Sequence, residues 1–229
     1  MTEPAPPPTS ALDPAPEPDA RRMIALVVGI SATVAFVILR FVVAIDDHAP
    51  LAIDVWWNSQ MHAILTDAGV LIAWIPAVVG GTIGMIVIGI LIVVLFLWRK
   101  RPWDAANVAI AIVVVVAIGA PMAAVIARLR PVDSLAESVA TSFPSGHTAV
   151  ATTVAVTLGL LLRRWYVWVG GALWVVLMMW SRTYLHAHWL SDVVAGLLEG
   201  IAVATLVWCA VEAVRDRRAV RARAVTLDT

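Results

Sequence analysis

The sequence lacks charge over long stretches, and it lacks the cysteines that a disulfide bond requires. Only 14% of its 229 residues are Asp, Glu, Lys or Arg, whereas 61% are hydrophobic and the mean hydropathy is +0.90. An ordinary soluble domain has about 45–50% apolar and about 25% charged residues. The single cysteine, Cys209, excludes an intramolecular disulfide. We therefore expect an integral membrane protein.

The first 20 residues lack basic side chains and apolar runs. They hold seven of the thirteen prolines and no Lys or Arg, which excludes the positive n-region of a signal peptide. Such a composition is typical of a disordered segment. We predict a disordered Pro-rich cytoplasmic tail at 1–20, a membrane domain at 21–214 and a basic cytoplasmic tail at 215–229.

Long uncharged runs fill the middle of the chain. A bilayer core of about 30 Å needs roughly 20 apolar residues per helix, and the predicted spans lie near 23–45, 77–98, 105–127, 147–162, 165–182 and 190–212. Pro76 and Gly80-Gly81 predict a break at which a preceding interfacial or re-entrant piece gives way to the second span. The stretch 54–65 has mixed polarity with two tryptophans near its start, which indicates an interfacial amphipathic helix between the first two spans. We therefore predict an all-α bundle of six transmembrane helices.

The sixteen Lys and Arg residues are distributed unevenly about these spans. Twelve fall at one end of the six-helix topology, and the other end receives only Arg40, Arg128, Arg130 and Arg182. Cytoplasmic loops near membrane ends contain the excess of bases. We predict a plasma-membrane protein with both termini in the cytoplasm and these four arginines at the extracytoplasmic end.

Histidines accompany the arginines at that predicted outer end. Pro-Ser-Gly-His at 144–147 precedes the fourth span, and the backbone N–H groups at a helix start suit an anion. His188 and Asp192 are four residues apart, so on a helix the carboxylate can orient the imidazole and leave Nε2 free as a nucleophile or base. Together these groups suit phosphoryl transfer through a phosphohistidine. Taken singly, each motif also fits a purely structural helix start.

A metal site is the competing interpretation of the same histidines. His147, His186 and His188 supply three imidazoles, and imidazole is a common metal ligand. The neighbouring arginines disfavour a second positive charge, and no carboxylate cluster offsets them. We therefore predict that this site takes no metal and no other cofactor.

The motifs resemble the type 2 phosphatidic acid phosphatase superfamily, also called lipid phosphate phosphatases. The family pattern is Lys-x6-Arg-Pro, then Pro-Ser-Gly-His, then Ser-Arg-x5-His-x3-Asp. The second part is complete here at 144–147 and the third is complete from 181 to 192. The first part is half present, with Arg130-Pro131 in place and Ala123 where the lysine would stand. The resemblance covers roughly residues 23–212.

The resemblance implies a role for each matched residue. It implies His188 as the nucleophile, Asp192 as its orienting partner and His147 as the general acid for the leaving oxygen. It also implies that the phosphate oxygens are held by Arg130, Arg182 and the backbone around Ser145 and Gly146. The family uses no metal.

Two positions depart from the expected pattern. Ala123 removes a cation from the phosphate pocket, and we expect Arg128, the other arginine of the same loop, to bind phosphate in its place. His186 stands where a small residue, often glycine, is expected. It either relays a proton or lies at the membrane interface, and the interfacial position is the preferred interpretation.

These observations predict a lipid phosphate or diphosphate phosphatase that acts at the extracytoplasmic face, with a polyprenyl diphosphate carrier as the candidate substrate. Phosphatidylglycerol phosphate and phosphatidate fit the same motifs, as does transfer of the phosphoryl group to a lipid or sugar acceptor. A non-catalytic membrane protein with a degenerate site is the remaining alternative, which Ala123 suggests. The expected partners are the lipid substrate and the bilayer, without nucleic acid, and the sequence does not indicate an oligomeric state.

Overall fold

The computed structural model describes residues 19–45, 47–136 and 141–227. Eight α-helices occur in these residues: α1 Ala20–Ala44, α2 Ala52–Ala63, α3 Asp67–Val79, α4 Thr82–Trp98, α5 Pro102–Ile126, α6 Gly146–Leu162, α7 Trp165–Tyr184 and α8 Leu190–Leu227. Within the described ranges there is no β-strand, only one isolated β-bridge between Leu129 and Thr141. The predicted all-α class is confirmed. Residues 1–18 of the predicted disordered tail lie outside the described residues.

Several helices have the length and composition of membrane spans. Three can cross a bilayer by these criteria, namely α1, α5 and the 190–222 part of α8. The pair formed by α3 and the 84–98 part of α4 is bent by 48°, and it would make a fourth if the two helices form one span. Helix α6 is a shorter apolar helix. The six-span count and the interfacial position of α2 stay predictions.

Apolar side chains cover the outside of the bundle. Ile38 on α1, Leu91 on α4 and Val113 on α5 are among many large apolar residues whose side chains are more than half exposed. A soluble monomer rarely exposes apolar patches of this extent. The outer surface therefore fits contact with lipid, in agreement with the membrane protein that the composition predicts.

The break between α3 and α4 occurs where the sequence predicts it. Helix α3 contains Pro76 and ends at Val79, and Gly80 and Gly81 cap the two helix ends. A Cβ atom on Gly80 would lie 2.0 Å from Cε of Met178 on α7 and 2.9 Å from the Pro76 carbonyl oxygen, so a larger residue here would force the Met178 side chain to move. A Cβ atom on Gly81 would lie 3.7 Å from His147 Nε2. The break thus brings the start of α4 beside a predicted catalytic residue.

Helix α8 packs along α1 and α6 and forms the centre of the bundle. A Cβ atom on Gly196 would lie 2.5 Å from the carbonyl oxygen of Ser145, and one on Gly200 would lie 2.6 Å from that of Ala149. Small residues allow helix backbones to approach this closely. The start of α6 is therefore fixed against the first turns of α8. We call this end of the bundle, where α5 ends and α6 and α8 begin, the site end.

Candidate active site

A cavity of about 410 Å³ opens at the site end between α4, α5 and α6. Its polar lining consists mainly of Arg130, Thr141, His147 and His188. Its walls are apolar and include Met85, Ile86, Ile112, Val115, Val116 and Val150. A cavity with a charged end and apolar walls suits a ligand that has an anionic head and a hydrocarbon tail.

His188 lies at the polar end of this cavity, and contacts at both nitrogens hold its ring. Nδ1 is 2.7 Å from the carbonyl oxygen of Ser142, and Nε2 is 3.1 Å from Nη1 of Arg130. Since a guanidinium group can only donate, Nε2 is the acceptor and Nδ1–H donates to Ser142. This tautomer presents the Nε2 lone pair at the polar end of the cavity.

The surroundings of His188 favour its neutral form. Burial is the main cause that lowers the pKa of His188 to about 4; the charges of Arg130 and Arg182 reinforce this effect, and the Asp192 carboxylate opposes it. An imidazole with this pKa is unprotonated at neutral pH. Its Nε2 is therefore available as a nucleophile.

Asp192 lies behind His188, as the four-residue spacing predicts, but it is not the closest partner of the ring. Asp192 Oδ2 is 3.8 Å from His188 Nδ1, which is too long for a hydrogen bond. The same oxygen accepts a hydrogen bond of 2.9 Å from the backbone N–H of Trp189. Asp192 thus acts on His188 through its charge and through the adjacent backbone, while the Ser142 carbonyl makes the direct contact.

Arg128 is fully buried beside Asp192 and does not line the cavity. Its Nη1 donates to Asp192 Oδ1 at 2.6 Å, and its Nη2 donates to Asp54 Oδ2 at 2.7 Å. The remaining N–H groups donate to the Ser191 hydroxyl and to the carbonyl oxygens of His48 and Ala49. All five donors are therefore in use. We predicted a phosphate contact because this arginine lacked a partner in the sequence; these partners favour a structural role instead.

Asp54 on α2 completes this buried network, and the sequence analysis assigned it no role in the site. Its Oδ1 accepts a hydrogen bond of 2.8 Å from the Ser191 N–H, and its Oδ2 accepts one of 2.7 Å from the Ser191 hydroxyl. The sequence does contain a signal for this contact. Asp54, Asn58 and His62 are spaced four residues apart, which predicts one polar face on a helix. The structure turns that polar face toward residues 186–192.

The start of α6 supplies backbone donors to the cavity. Ser145 is the N-cap residue, but its own N–H donates to the Asp192 carbonyl at 3.0 Å and so joins α6 to α8. Gly146 lines the cavity, and a Cβ atom built on it would meet nothing within 4 Å. The N–H groups of a first helical turn have no acceptor within the helix and suit an anion. His147, on the same turn, also lines the cavity.

Two arginines from different segments flank His188. Arg130, in the loop after α5, is half-buried and also donates to the Ala187 carbonyl. Arg182, in the last turn of α7, is 1% exposed and is not among the residues that line the cavity. Its carbonyl oxygen accepts the N–H groups of Ala187 and His188 at 3.0 and 3.2 Å. Ala123, where the family pattern has lysine, also lines the cavity. A lysine at position 123, as in the family pattern, would therefore lie at the wall of this cavity.

Comparison with known proteins agrees with this arrangement. Residues 108–216 match the family model described as the PAP2 superfamily, a range that includes all three motifs. Residues 108–216 of the chain are therefore similar to the PAP2 superfamily. The resemblance that the motifs indicate is thereby confirmed.

Two curated relatives match about half of this chain. The undecaprenyl-diphosphatase of Sulfolobus acidocaldarius is 34% identical over 113 residues, which cover 46% of this chain and 54% of that protein. The putative undecaprenyl-diphosphatase YbjG of Escherichia coli is 33% identical over 126 residues, which cover 50% of this chain and 62% of that protein. The chain thus spans less than two thirds of the length of either relative.

Two solved membrane structures share the fold. The PAP2 type phosphatidylglycerolphosphate phosphatase of Bacillus subtilis superposes with a TM-score of 0.71 at 21% identity, covering 78% of this chain and 93% of that one. LpxE of Aquifex aeolicus superposes with a TM-score of 0.61 at 21% identity, covering 69% and 96%. The chain therefore has the same fold as these two proteins.

Proposed function

We propose that this protein is a membrane lipid phosphate or diphosphate phosphatase that works through a phosphohistidine. The observation that carries the proposal is His188 Nε2, which is unprotonated and lies 3.1 Å from Arg130 at the polar end of an apolar cavity. A nucleophile, cationic groups and a helix start converge there, and the walls accept a hydrocarbon chain. The names of the relatives, which describe phosphatases of lipid substrates, support the same conclusion.

In the first step, His188 Nε2 attacks phosphorus and the bond from phosphorus to the leaving oxygen breaks. Arg130, Arg182 and the N–H groups around Gly146 stabilise the negative charge on the remaining phosphoryl oxygens. His147 gives a proton to the leaving oxygen. The Ser142 carbonyl and the Asp192 carboxylate stabilise the positive charge that develops on the attacking ring.

In the second step, water attacks the phosphorus of the phosphohistidine and His147 accepts a proton from it. The P–N bond breaks, inorganic phosphate leaves and His188 returns to its neutral form. Apart from the substrate and water, the groups that act in these two steps are side chains and backbone groups of this chain. The mechanism is a double displacement, so an acceptor other than water would turn the same site into a phosphotransferase.

The substrate that we favour is a polyprenyl diphosphate carrier. Both curated relatives are named undecaprenyl-diphosphatases, and the apolar walls of the cavity suit a long hydrocarbon chain. Phosphatidylglycerol phosphate is the second candidate, since the Bacillus subtilis structure with the same fold is named for that substrate. Phosphatidate is the third, because the motif residues contact only the phosphate.

Release of inorganic phosphate from these three lipids in detergent tests the proposal. We expect the fastest release from the polyprenyl diphosphate, and we expect His188→Ala to lower the rate by about 10³-fold or more. A phosphoenzyme that is stable in alkali and labile in acid should form on the wild type but not on His188→Ala. The matched control is His48→Asn, which removes an imidazole outside the cavity lining.

Equal and slow hydrolysis of all three lipids by the wild type and His188→Ala would contradict the proposed function and favour a non-catalytic protein. Transfer of the phosphoryl group to an added lipid or sugar acceptor, without release of inorganic phosphate, would instead identify a phosphotransferase. A preference for phosphatidylglycerol phosphate or phosphatidate over the polyprenyl diphosphate would keep the mechanism and change the substrate.

We also propose six spans in the plasma membrane, with the site end outside and both the 1–20 and 215–229 tails in the cytoplasm. The support is the distribution of charge, since twelve of the sixteen bases fall at the end opposite the site in that topology. Two single-cysteine variants made in a Cys209→Ser background test it. Val132→Cys is fully exposed at the site end, and Val220→Cys lies two-thirds exposed near the other end of α8.

An impermeant thiol reagent applied to whole cells should label position 132 and leave position 220 unlabelled until the membrane is permeabilised. Labelling with the opposite preference would place the site in the cytoplasm. The result is independent of the phosphatase assay, because it reports orientation only.

A further inference from the structure

A second polar cluster lies beside the catalytic residues and takes no part in the proposed chemistry. It consists of His62 on α2, Asp133 in the loop after α5 and His186 in the loop before α8, whose ligand atoms lie within 4.8 Å of one another. None of the three lines the lipid cavity. We propose that this cluster binds a divalent transition-metal ion, with Zn²⁺ as the favoured ion. The bound ion would link the three segments.

The distances suit a tetrahedral metal ion. His62 Nδ1 is 3.0 Å from His186 Nε2 and 3.2 Å from Asp133 Oδ2. Ligand atoms about 2.0–2.1 Å from zinc in a tetrahedral site lie about 3.3 Å from one another. Asp133 Oδ2 also lies 3.5 Å from His186 Nδ1, so the carboxylate must turn toward Nε2 to place all three ligand atoms around one ion. Two imidazoles and one carboxylate are ligands that zinc accepts, and a water molecule can take the fourth position.

Asn58 fixes the ring of His186 in the orientation that metal binding requires. Its Oδ1 is 2.7 Å from His186 Nδ1, so Nδ1 holds the hydrogen and Nε2 presents a lone pair toward His62. Histidines that bind metals usually donate their other ring N–H to an oxygen in this manner. Asn58 and His62 are one helical turn apart on α2, which allows both to face His186.

The lone pairs in the cluster outnumber the protons available to them. His186 Nε2 and Asp133 Oδ2 both approach His62 Nδ1, and that nitrogen can offer at most one hydrogen. A cation at this point would satisfy all three atoms at once. The His62 and Asp133 side chains are 54% and 31% exposed, so an ion can enter from solvent.

The backbone at His186 also indicates a role for its side chain. His186 has a φ of 50°, in the left-handed region where glycine is the favoured residue. Its side chain is nonetheless completely buried, and contacts hold both of its ring nitrogens. The backbone conformation gives no reason for a histidine at this position, whereas the two contacts of the imidazole ring do. The preferred sequence interpretation, an interfacial histidine, does not account for these contacts.

Zinc titration of the full-length protein in detergent tests the site. The protein is purified without a polyhistidine tag and stripped with a chelator, and ZnCl₂ is then added in a calorimeter. We expect one Zn²⁺ per chain, binding about 10–100-fold weaker in Asn58→Ala, and loss of binding in His62→Ala and Asp133→Ala. The matched control, His48→Asn, should bind like the wild type. Bound Co²⁺ should give the visible absorption of a four-coordinate ion.

Thermal unfolding separates metal binding from folding. Zn²⁺ should raise the unfolding midpoint of the wild type and of His48→Asn but not that of His62→Ala, while the stripped proteins unfold at similar temperatures. If the wild type binds no Zn²⁺, or if His62→Ala and Asp133→Ala bind it as tightly as the wild type, the proposal is wrong. The phosphatase result has no bearing on these measurements, since none of them requires turnover.

Discussion

The two ends of the bundle use ion pairs of similar composition in very different surroundings. At the site end, the side chains of Arg128, Asp54 and Asp192 are all 0% exposed, and the arginine bridges both carboxylates. At the opposite end, Arg22 pairs with Asp216 at 3.3 Å, and the two side chains are 34% and 66% exposed. Removing a charge from water is costly, so a buried charge persists only when partners satisfy it fully. The exposed pair is under no such requirement.

The buried network also determines where the proposed catalytic groups lie. Asp54 belongs to α2, Arg128 follows α5 and Asp192 lies in the first turn of α8, so the network joins three separate segments. Because Asp192 holds the backbone N–H of Trp189, next to His188, a shift in any of the three would move the nucleophile. We infer that the site end is rigid because its charges are buried. The following predictions, ordered from the largest effect to the smallest, test that contrast.

The largest effect on stability is expected from Arg128→Ala. It leaves two buried carboxylates without their shared cation, and breaking a buried ion pair in this way costs about 3–5 kcal/mol. The measurement is the free energy of unfolding in detergent by denaturant titration, with Arg22→Ala as the matched arginine control. An Arg128→Ala protein with wild-type stability and wild-type phosphatase activity would refute the role of this network.

Asp54→Asn should have a smaller effect, because the side chain keeps its shape and loses its charge. The amide can still accept from Arg128 or Ser191, so we expect a loss of stability of about 1–3 kcal/mol. We also expect a lower kcat for phosphate release with little change in KM, since Asp54 positions His188 only through its neighbours. A change confined to KM would indicate that Asp54 contacts the substrate, contrary to this interpretation.

Ala123→Lys tests whether the site end tolerates one more cation on the cavity side. A lysine there would add a charge-assisted contact to phosphate worth about 1.5 kcal/mol or more, which corresponds to roughly a tenfold lower KM. Ala123→Met adds a chain of similar length without the charge and serves as the control. An equal effect of both substitutions would show that volume and not charge limits binding at this position.

The sequence predicts the helices and the family resemblance well, because apolar length and short motifs are local signals. Helices α1, α5 and α7 begin and end within about three residues of the predicted spans, and Pro76 with the two glycines predicts the α3–α4 break. Helix α8 ends later in the chain than the predicted sixth span. It continues to Leu227, far past the predicted span end at 212, because the alanines and arginines that follow are good helix formers outside a membrane as well as within one.

The partners of the site residues could not be predicted in the same way. Arg128 and Asp54 are 74 positions apart in the chain, and the Ser142 carbonyl that holds His188 is 46 positions away. No local pattern predicts such contacts, so we expected Arg128 to bind phosphate, a role suited to an arginine without a partner. The four-residue spacing of polar residues on α2 was the usable signal, since it marks a polar face that must meet something other than lipid.

The smallest effect is expected from Arg22→Ala at the opposite end. An exposed ion pair contributes about 0–1 kcal/mol, because water and dissolved ions replace the partner at little cost. We expect the free energy of unfolding to fall by no more than about 0.5 kcal/mol and the difference from the wild type to vanish at 0.5–1 M salt, where screening acts over only about 3–4 Å. The cost of Arg128→Ala should persist at that salt concentration, because its partners are buried. If salt reduced both effects equally, burial would not be what distinguishes the two ends.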